Sequence, residues 1–208
     1  MKIVLLVEGQ TEDKALAEFL KRWLDAQALA QPVGVQTVRL QGAGEFIKQT
    51  PDRAMRALNA PKGDVVAVFA LLDLYGCPLP YPSAQMPVSE KLAWGKRHLE
   101  GQVSHSRFRQ CFAVHETEAW LLSDPAIFPV EVRTALAAKS QQPEAVNDEE
   151  PPAKLLGRLY NTHLGRGYRK AVDGPTLFRQ LDPATAYSKC PGLRALLDEM
   201  LTLARQQP

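Results

Sequence analysis

The chain has 208 residues, of which 45% are hydrophobic, and its formal net charge at pH 7 is +2. This composition excludes a disordered protein, and the length favours one domain with at most an appended subdomain. The small net charge gives no bulk attraction for nucleic acid, so a polyanion would have to bind local clusters of basic residues.

The cysteines and the N-terminus bear on the cellular location. Three cysteines without C-x-x-C spacing argue against a disulfide framework or a zinc site, namely Cys77, Cys111 and Cys190. Only Lys2 precedes a short apolar run ending at Glu8, which is not a signal peptide, and no window approaches 18 uncharged apolar residues. We therefore expect a cytoplasmic protein that is neither exported nor membrane-bound.

The first predicted strand covers residues 4–7, whose four apolar side chains are typical of a strand covered on both faces of a parallel sheet. Glu8 follows it, Gly9 permits a tight turn, and an amphipathic helix then begins at Gln10 or Thr11. Ligands of open α/β sheets bind at the carboxyl ends of strands. Glu8 is thus a site candidate, although it is also simply the first polar residue after a hydrophobic strand.

A second strand is predicted over residues 35–40, and the glycine-containing loop 41–44 follows it at the same edge. This loop is explained either as a turn or as a phosphate-binding loop, because a lone G-x-G is a weak motif. Residues 45–58 then have helical spacing, and we expect Pro51 to start, kink or split that helix.

The most hydrophobic run, residues 65–72, is the best candidate for the central strand, and it ends at Asp73. Two neighbouring parallel strands that end in Glu8 and Asp73 would place two negative charges at one edge. Their repulsion is costly unless a cation or a shared proton relieves it, and a divalent metal is the simplest relief.

After a proline-rich segment and a predicted helix over residues 89–103, a shorter strand over residues 107–114 runs into His115-Glu116-Thr117-Glu118. On a strand the two glutamates would share a face, whereas on a helix they would diverge by roughly 200°, and we expect one of them to point into the site. The H-E-T-E spacing lacks the second histidine that a zinc protease needs, and His115 is either a proton carrier or a structural residue.

Other catalytic motifs are missing from the sequence. There is no G-x-S-x-G elbow and no P-loop, and no cysteine has an obvious histidine partner. What remains is an all-carboxylate site, which suits Mg²⁺ or Mn²⁺. Glu12 is a weaker candidate, because the helix dipole already explains an acid in a first helical turn.

From residue 125 onward the strand-like patterns fade. We predict an exposed polar loop over residues 141–152, a short basic helical region, a turn at Gly174-Pro175 and a closing helix over residues 192–204. The predicted organisation is an α/β core over residues 1–124 and a mainly helical C-terminal extension over residues 125–208 that packs on the core.

Three motifs together resemble one known superfamily. V-E-G-Q-T-E after the first strand, L-L-D-L-Y-G-C-P after the central strand and H-E-T-E-A-W-L-L further on are similar to the Toprim (topoisomerase-primase) superfamily. More closely, the chain resembles the Toprim-like bacterial group known as domain-of-unknown-function family 4276. The later K-A-V-D-G and S-K-C-P extend this similarity over most of the chain.

The resemblance implies a mostly parallel, Toprim- or Rossmann-like sheet with helices on both sides and a metal-dependent site that acts on phosphodiester bonds. It implies that Glu8 is the general acid or base and that Asp73 is the first of two metal-binding aspartates. Tyr75 stands at the second aspartate position, and a phenol is a poor Mg²⁺ ligand. Either Glu116 or Glu118 supplies the missing carboxylate, or the activity has been lost.

The resulting hypothesis is a nuclease or phosphodiesterase acting on nucleic acid. Glu8, Asp73 and Glu116 are its predicted catalytic residues, and Mg²⁺ (or Mn²⁺) would be held by these three and Glu118. Three basic residues are predicted to neutralise substrate phosphates, unless they form a solvated surface: Lys170, Arg169 and Lys189.

Two alternatives stay open. One is a non-catalytic module that keeps the acidic pocket for a metal or nucleotide, which Tyr75 favours. The other is an interaction protein of a defence or repair system, in which a partner covers the C-terminal helices and the exposed loop and Trp120 contribute to the interface.

Overall fold

The computed structural model describes residues 1–148 and 150–206, without the side chains of residues 147 and 148. The strands are β1 (Lys2–Val7), β2 (Gly34–Arg39), β3 (Val65–Asp73) and β4 (Phe108–Ala113). The α-helices are α1 (Gln10–Asp25), α2 (Ala43–Leu58), α3 (Val88–Val103), α4 (Glu118–Leu121), α5 (Val130–Leu136), α6 (Pro152–Leu164), α7 (Lys170–Gln180), α8 (Pro183–Lys189) and α9 (Pro191–Arg205). Short 3-10 helices lie at Pro125–Ile127, Ala137–Lys139 and Pro143–Asp148.

The four strands form one parallel sheet in the order β2-β1-β3-β4. The central strands β1 and β3 are almost entirely buried, as their uninterrupted apolar runs predicted. Their register pairs Val7 with Leu71, and β3 pairs with β4 so that Asp73 lies opposite Ala113. The carboxyl ends of these three strands therefore lie at nearly the same level of one edge.

Successive side chains of β1 enter different cores, because strand residues alternate between the two faces of a sheet. Leu5 joins a core formed with α1 and the C-terminal helices, while Leu6 joins a core formed with α2 and α3. This arrangement confirms the predicted α/β class with helices on both sides of a parallel sheet. Because the helices after residue 125 share a core with the sheet, the division at residue 124 stays a prediction.

Prolines interrupt fewer elements than the sequence predicts. Pro51 lies inside α2, which runs from Ala43 to Leu58 and is neither started nor split at this residue. The predicted turn at Gly174-Pro175 is wrong, because both residues lie inside α7. Tertiary packing explains the helical Gly174: a Cβ at this position would lie 2.7 Å from Thr11 Cγ2.

Two other expectations for the C-terminal part change. The loop predicted to be exposed over residues 141–152 contains a 3-10 helix with Val146 buried, and α6 begins at its end, while Glu149 lies outside the described residues. Trp120 is fully buried in the core, so it cannot contribute to a surface interface as proposed.

Within the described ranges, no helix is both long and apolar enough to cross a bilayer.

We expect Gly174→Ala to lower the free energy of unfolding by about 1–3 kcal/mol, because the added methyl group would collide with Thr11 and approach the Tyr168 hydroxyl. Urea unfolding measures this change. The matched control is Gly157→Ala on α6, where nothing lies within 4 Å of the added atom. This second helical substitution should raise stability by up to about 1 kcal/mol. Equal effects at both positions would contradict close packing of α7 on α1.

Candidate metal centre

Acidic side chains from three neighbouring strands meet at the carboxyl edge of the sheet. Glu8 directly follows β1, and Asp73 is the last residue of β3. After β4, the chain passes through His115 in the left-handed region, with φ of 46°, and continues to Glu116 and Glu118. The strand register thus brings together acids that are far apart in the sequence.

Asp73, Glu116 and Glu118 form the tightest acidic group. Each offers one carboxylate oxygen, and these oxygens all lie within 4.8 Å of one another. Oxygens around one Mg²⁺ lie up to about 4.2 Å apart, twice the usual metal–oxygen distance, so only a small contraction is needed. The expectation that just one glutamate points into the site is wrong, because the pair lies on neither a regular strand nor one helix: α4 begins only at Glu118.

Backbone N–H groups hold this acidic group in place. The N–H of Thr117 donates to Asp73 Oδ1 at 3.1 Å, and the N–H of Ala153, in the first turn of α6, donates to Glu116 Oε2 at 2.9 Å. These bonds satisfy one oxygen of each carboxylate. The C-terminal helices are therefore part of the site and not only a cover for the sheet.

Lys170, the first residue of α7, contributes a cation to this group. Its Nζ lies 2.9 Å from Glu118 Oε2 and 3.5 Å from Asp73 Oδ2. Burial by itself would lower the pKa of Lys170, but the carboxylates of Glu118, Asp73 and Glu12 raise it above its ordinary value. Lys170 is therefore charged and compensates part of the negative charge that burial concentrates here.

Glu12 is a further acid of the site. Only 5% of its surface is exposed, and Thr117 Oγ1 donates to its Oε1 at 3.1 Å, while its buried Oε2 has no hydrogen-bond partner. The helix-dipole explanation is therefore insufficient. The sequence did carry a signal, because Glu12 continues the apolar stripe of α1 formed by Ala15, Leu16 and Phe19. The hydroxyl of Thr117 gave no such signal.

A cavity of about 350 Å³ opens beside these residues, and Glu8, Glu12, Asp73 and Lys170 are among those that line it. The glycine-containing loop after β2 lies near the site, because the backbone of Ala43 opposes the rise that burial causes in the pKa of Glu8. Burial and the nearby Glu12 raise the pKa of Glu8. A carboxyl with a raised pKa exchanges protons more readily near neutral pH.

The pKa of the innermost acids is raised as well. Glu118 is fully buried, and desolvation raises its pKa to about 7 although Lys170 opposes the shift. Desolvation also raises the pKa of Asp73 well above its ordinary value. One buried oxygen of Glu118, Oε1, has no partner. The site thus contains more carboxylate than its described hydrogen bonds and its lysine satisfy.

Arg169 and Lys189, the other two basic residues predicted for the site, have their described polar contacts outside the acidic group. The backbone N–H of Arg169 donates to Asp173 Oδ2 at 2.7 Å, and its largely exposed guanidinium lies 3.8 Å from the same oxygen. Lys189 does not line the cavity, and its Nζ donates to the carbonyl of Ser123 at 2.7 Å. Of the three, Lys170 is the one that the structure brings to the acids.

The fold and the site define an α/β protein whose parallel sheet carries a cluster of carboxylates, a candidate divalent-cation site, at its carboxyl edge. Residues 7–201 match the family model described as a domain of unknown function, DUF4276, so the chain belongs to this family. This result confirms the family resemblance that the motifs suggested.

One solved structure shows the same fold over nearly the whole chain. The C-terminal region of the Burkholderia pseudomallei OLD protein is similar with a TM-score of 0.50 and 17% sequence identity, over 97% of this chain and 98% of that chain. At this identity the similarity shows the fold alone. No curated protein matches the chain significantly.

We expect the stability of the protein to fall between pH 5 and pH 8 in EDTA. The pKa of Glu118 is about 7 in the folded state and 4.5 when unperturbed. Because the folded pKa is the higher one, protonation of Glu118 stabilises the fold below pH 4.5, and this contribution is lost as the pH rises through 7. The shift corresponds to about 3 kcal/mol.

The measurement is the free energy of unfolding in urea at both pH values for the wild type and for Glu118→Gln. The variant should lose less stability on going from pH 5 to pH 8, since its amide does not titrate. Asp52→Asn, at an exposed position of α2, should keep the wild-type pH dependence. An unchanged pH dependence in Glu118→Gln would contradict the raised pKa.

Proposed function

We propose that this protein is a Toprim-like, metal-dependent nuclease or phosphodiesterase that acts on nucleic acid. The observation that carries the proposal is the convergence of Asp73, Glu116 and Glu118, with ligand oxygens within 4.8 Å, at the carboxyl edge of a parallel sheet. Ligands of open α/β sheets bind at this edge. The Toprim resemblance of the motifs supports the same conclusion, since it implies phosphodiester chemistry at Glu8 and Asp73.

The residues present fit a hard divalent cation such as Mg²⁺ or Mn²⁺. The donors are all carboxylate oxygens, which these ions prefer, and Glu118 Oε1 is buried without a partner. Asp73, Glu116 and Glu118 would hold the ion, while Glu8, which is not one of these three grouped carboxylates, would serve proton transfer. When bound, it supplies the charge that polarises a phosphoryl oxygen and makes water more acidic.

Glu8 is the proposed proton-transfer group. It lines the cavity together with Asp73, and its raised pKa suits a carboxylate that takes a proton from water or returns one to a leaving oxygen. Glu12, on the same cavity wall, keeps the local potential negative and thereby maintains the raised pKa of Glu8.

Lys170 and Arg169 are the proposed phosphate contacts. Lys170 lines the cavity with its charged Nζ between two acids, so a substrate phosphate near Asp73 would also lie near this ammonium. Arg169 directly precedes Lys170, and its side chain is largely exposed. It would neutralise a neighbouring phosphate of the bound nucleic acid. Lys189 does not enter the proposal, because its Nζ is bound to the Ser123 carbonyl.

A second candidate function is a binding module without turnover, which holds a metal or a nucleotide in the same cavity. Tyr75 favours it, because this residue replaces the second aspartate implied by the Toprim resemblance. The ion pairs of Lys170 with Asp73 and Glu118 favour it too, since they already compensate part of the charge that a cation would bind. Turnover separates the two candidates.

We expect Mg²⁺- or Mn²⁺-dependent cleavage when the protein is incubated with single-stranded DNA, duplex DNA and RNA, and no cleavage in EDTA. Asp73→Asn and Glu118→Gln should abolish cleavage and weaken metal binding, measured by calorimetry, at least roughly tenfold, because each removes a ligand charge. Asp52→Asn is the control and should leave both properties unchanged. Metal binding without cleavage of any substrate would favour the binding module instead.

Glu8→Gln should separate proton transfer from metal binding. We expect kcat to fall roughly 10²- to 10⁴-fold, because the amide cannot accept a proton. Calorimetric Mg²⁺ affinity should stay close to that of the wild type, unlike the loss in Asp73→Asn. The acidic limb of the pH–rate profile should disappear in the variant. Full cleavage by Glu8→Gln would rule out the proposed role.

A further inference from the structure

Tyr75 is an aromatic side chain that the fold leaves open to solvent beside the metal centre. Among the described residues it is the one aromatic in the group of exposed large hydrophobic side chains, with 49% of its surface accessible. It lies two residues after Asp73, and its backbone N–H donates to the carbonyl of His115 at 2.9 Å. The backbone that carries the ring is thus joined to the segment leading to Glu116.

Lys154, in the first turn of α6, lies next to this ring. Its Nζ lies 3.4 Å from the Tyr75 hydroxyl and 5.8 Å from the ring centroid. The preceding residue, Ala153, donates its N–H to Glu116 Oε2. Tyr75 thus contacts the residue before Glu116, and Lys154 follows the residue that hydrogen-bonds to the Glu116 carboxylate.

The stability of the fold does not explain this pair. A hydrogen bond of 3.4 Å between exposed groups and a cation near the rim of an exposed ring contribute little to folding. An aromatic ring with half its surface in water also forgoes much of the hydrophobic stabilisation that burial would give. A flat ring and a flexible ammonium next to a phosphodiester site instead match the two parts of a nucleotide.

We propose that Tyr75 and Lys154 form a subsite for an unpaired nucleotide adjoining the scissile phosphate. The Tyr75 ring stacks on the base, and the Lys154 ammonium pairs with the phosphate of that nucleotide. Bases inside a duplex are already stacked on their neighbours, so the ring can engage only a single strand or an unpaired end. The subsite rests on the proposed function for its position, and it makes single strands the preferred substrate.

The test measures binding of a fluorescent single-stranded oligonucleotide and of the matching duplex by anisotropy, in EDTA and again in Ca²⁺. Tyr75→Ala should weaken binding of the single strand about tenfold and leave duplex affinity unchanged. Tyr75→Phe should keep the wild-type affinity, because stacking needs the ring and not the hydroxyl. An oligonucleotide without bases should bind the wild type and Tyr75→Ala equally.

Lys154→Ala tests the phosphate contact and should reduce the salt dependence of binding by about one counterion. The matched control is Lys62→Ala, an exposed lysine that precedes β3 at the opposite edge of the sheet. This control should bind both oligonucleotides like the wild type. Thermal melts verify that the variants are folded.

Some outcomes overturn the subsite and others overturn the proposed function. Equal affinity of wild type and Tyr75→Ala for the single strand, or no single-strand binding in either buffer, overturns the subsite even if Mg²⁺-dependent cleavage occurs. Binding of single strands that depends on the Tyr75 ring, without cleavage under any condition, supports the subsite and overturns the nuclease function.

Discussion

The ammonium of Lys170 between Asp73 and Glu118 is the interaction on which the site depends. Buried carboxylates repel one another, and they are tolerated only when positive charge or hydrogen bonds compensate them. Lys170 comes from a helix nearly 100 residues after β3 in the chain, so this compensation links the C-terminal helices to the sheet edge. Thr11 reinforces the link, because its hydroxyl donates to the Lys170 carbonyl at 3.0 Å. The raised pKa values of Asp73 and Glu118 show that the compensation is incomplete.

Incomplete compensation gives the site its chemical character. A lysine that neutralised every acid would leave a structural ion-pair network, whereas here buried oxygens of Glu12 and Glu118 remain without a hydrogen-bond partner. Burial, together with the negative charge of Glu12 that would also attract a divalent cation, raises the pKa of Glu8, as its proposed role in proton transfer requires. The proposed metal binding and proton transfer would thus share one physical origin with a small loss of stability, which is the desolvation of several carboxylates at one edge.

Much of the fold and part of the site could be predicted from the sequence. Uninterrupted apolar runs identified β1 and β3, and the rule that parallel strands end at one edge brought Glu8 together with Asp73. Only one of Glu116 and Glu118 was expected to point into the site, yet both carboxylates lie beside Asp73, because the left-handed turn at His115 belongs to neither regular pattern. Gly174 was assigned to a turn, because glycine followed by proline is locally typical of turns. The close contact with Thr11 that explains this glycine is not visible in the sequence.

The sequence by itself determined the α/β class, the order of its elements and which strands end in acids, because these features follow from hydrophobic periodicity and from residue types along short segments. Only the tertiary structure decided that Glu12 is buried, that Thr117 connects two acids and that Lys170, and not Lys189, lies among them. Contacts between residues more than 40 positions apart in the sequence depend on how α1, α4 and α7 pack on the sheet, and no local pattern encodes that packing.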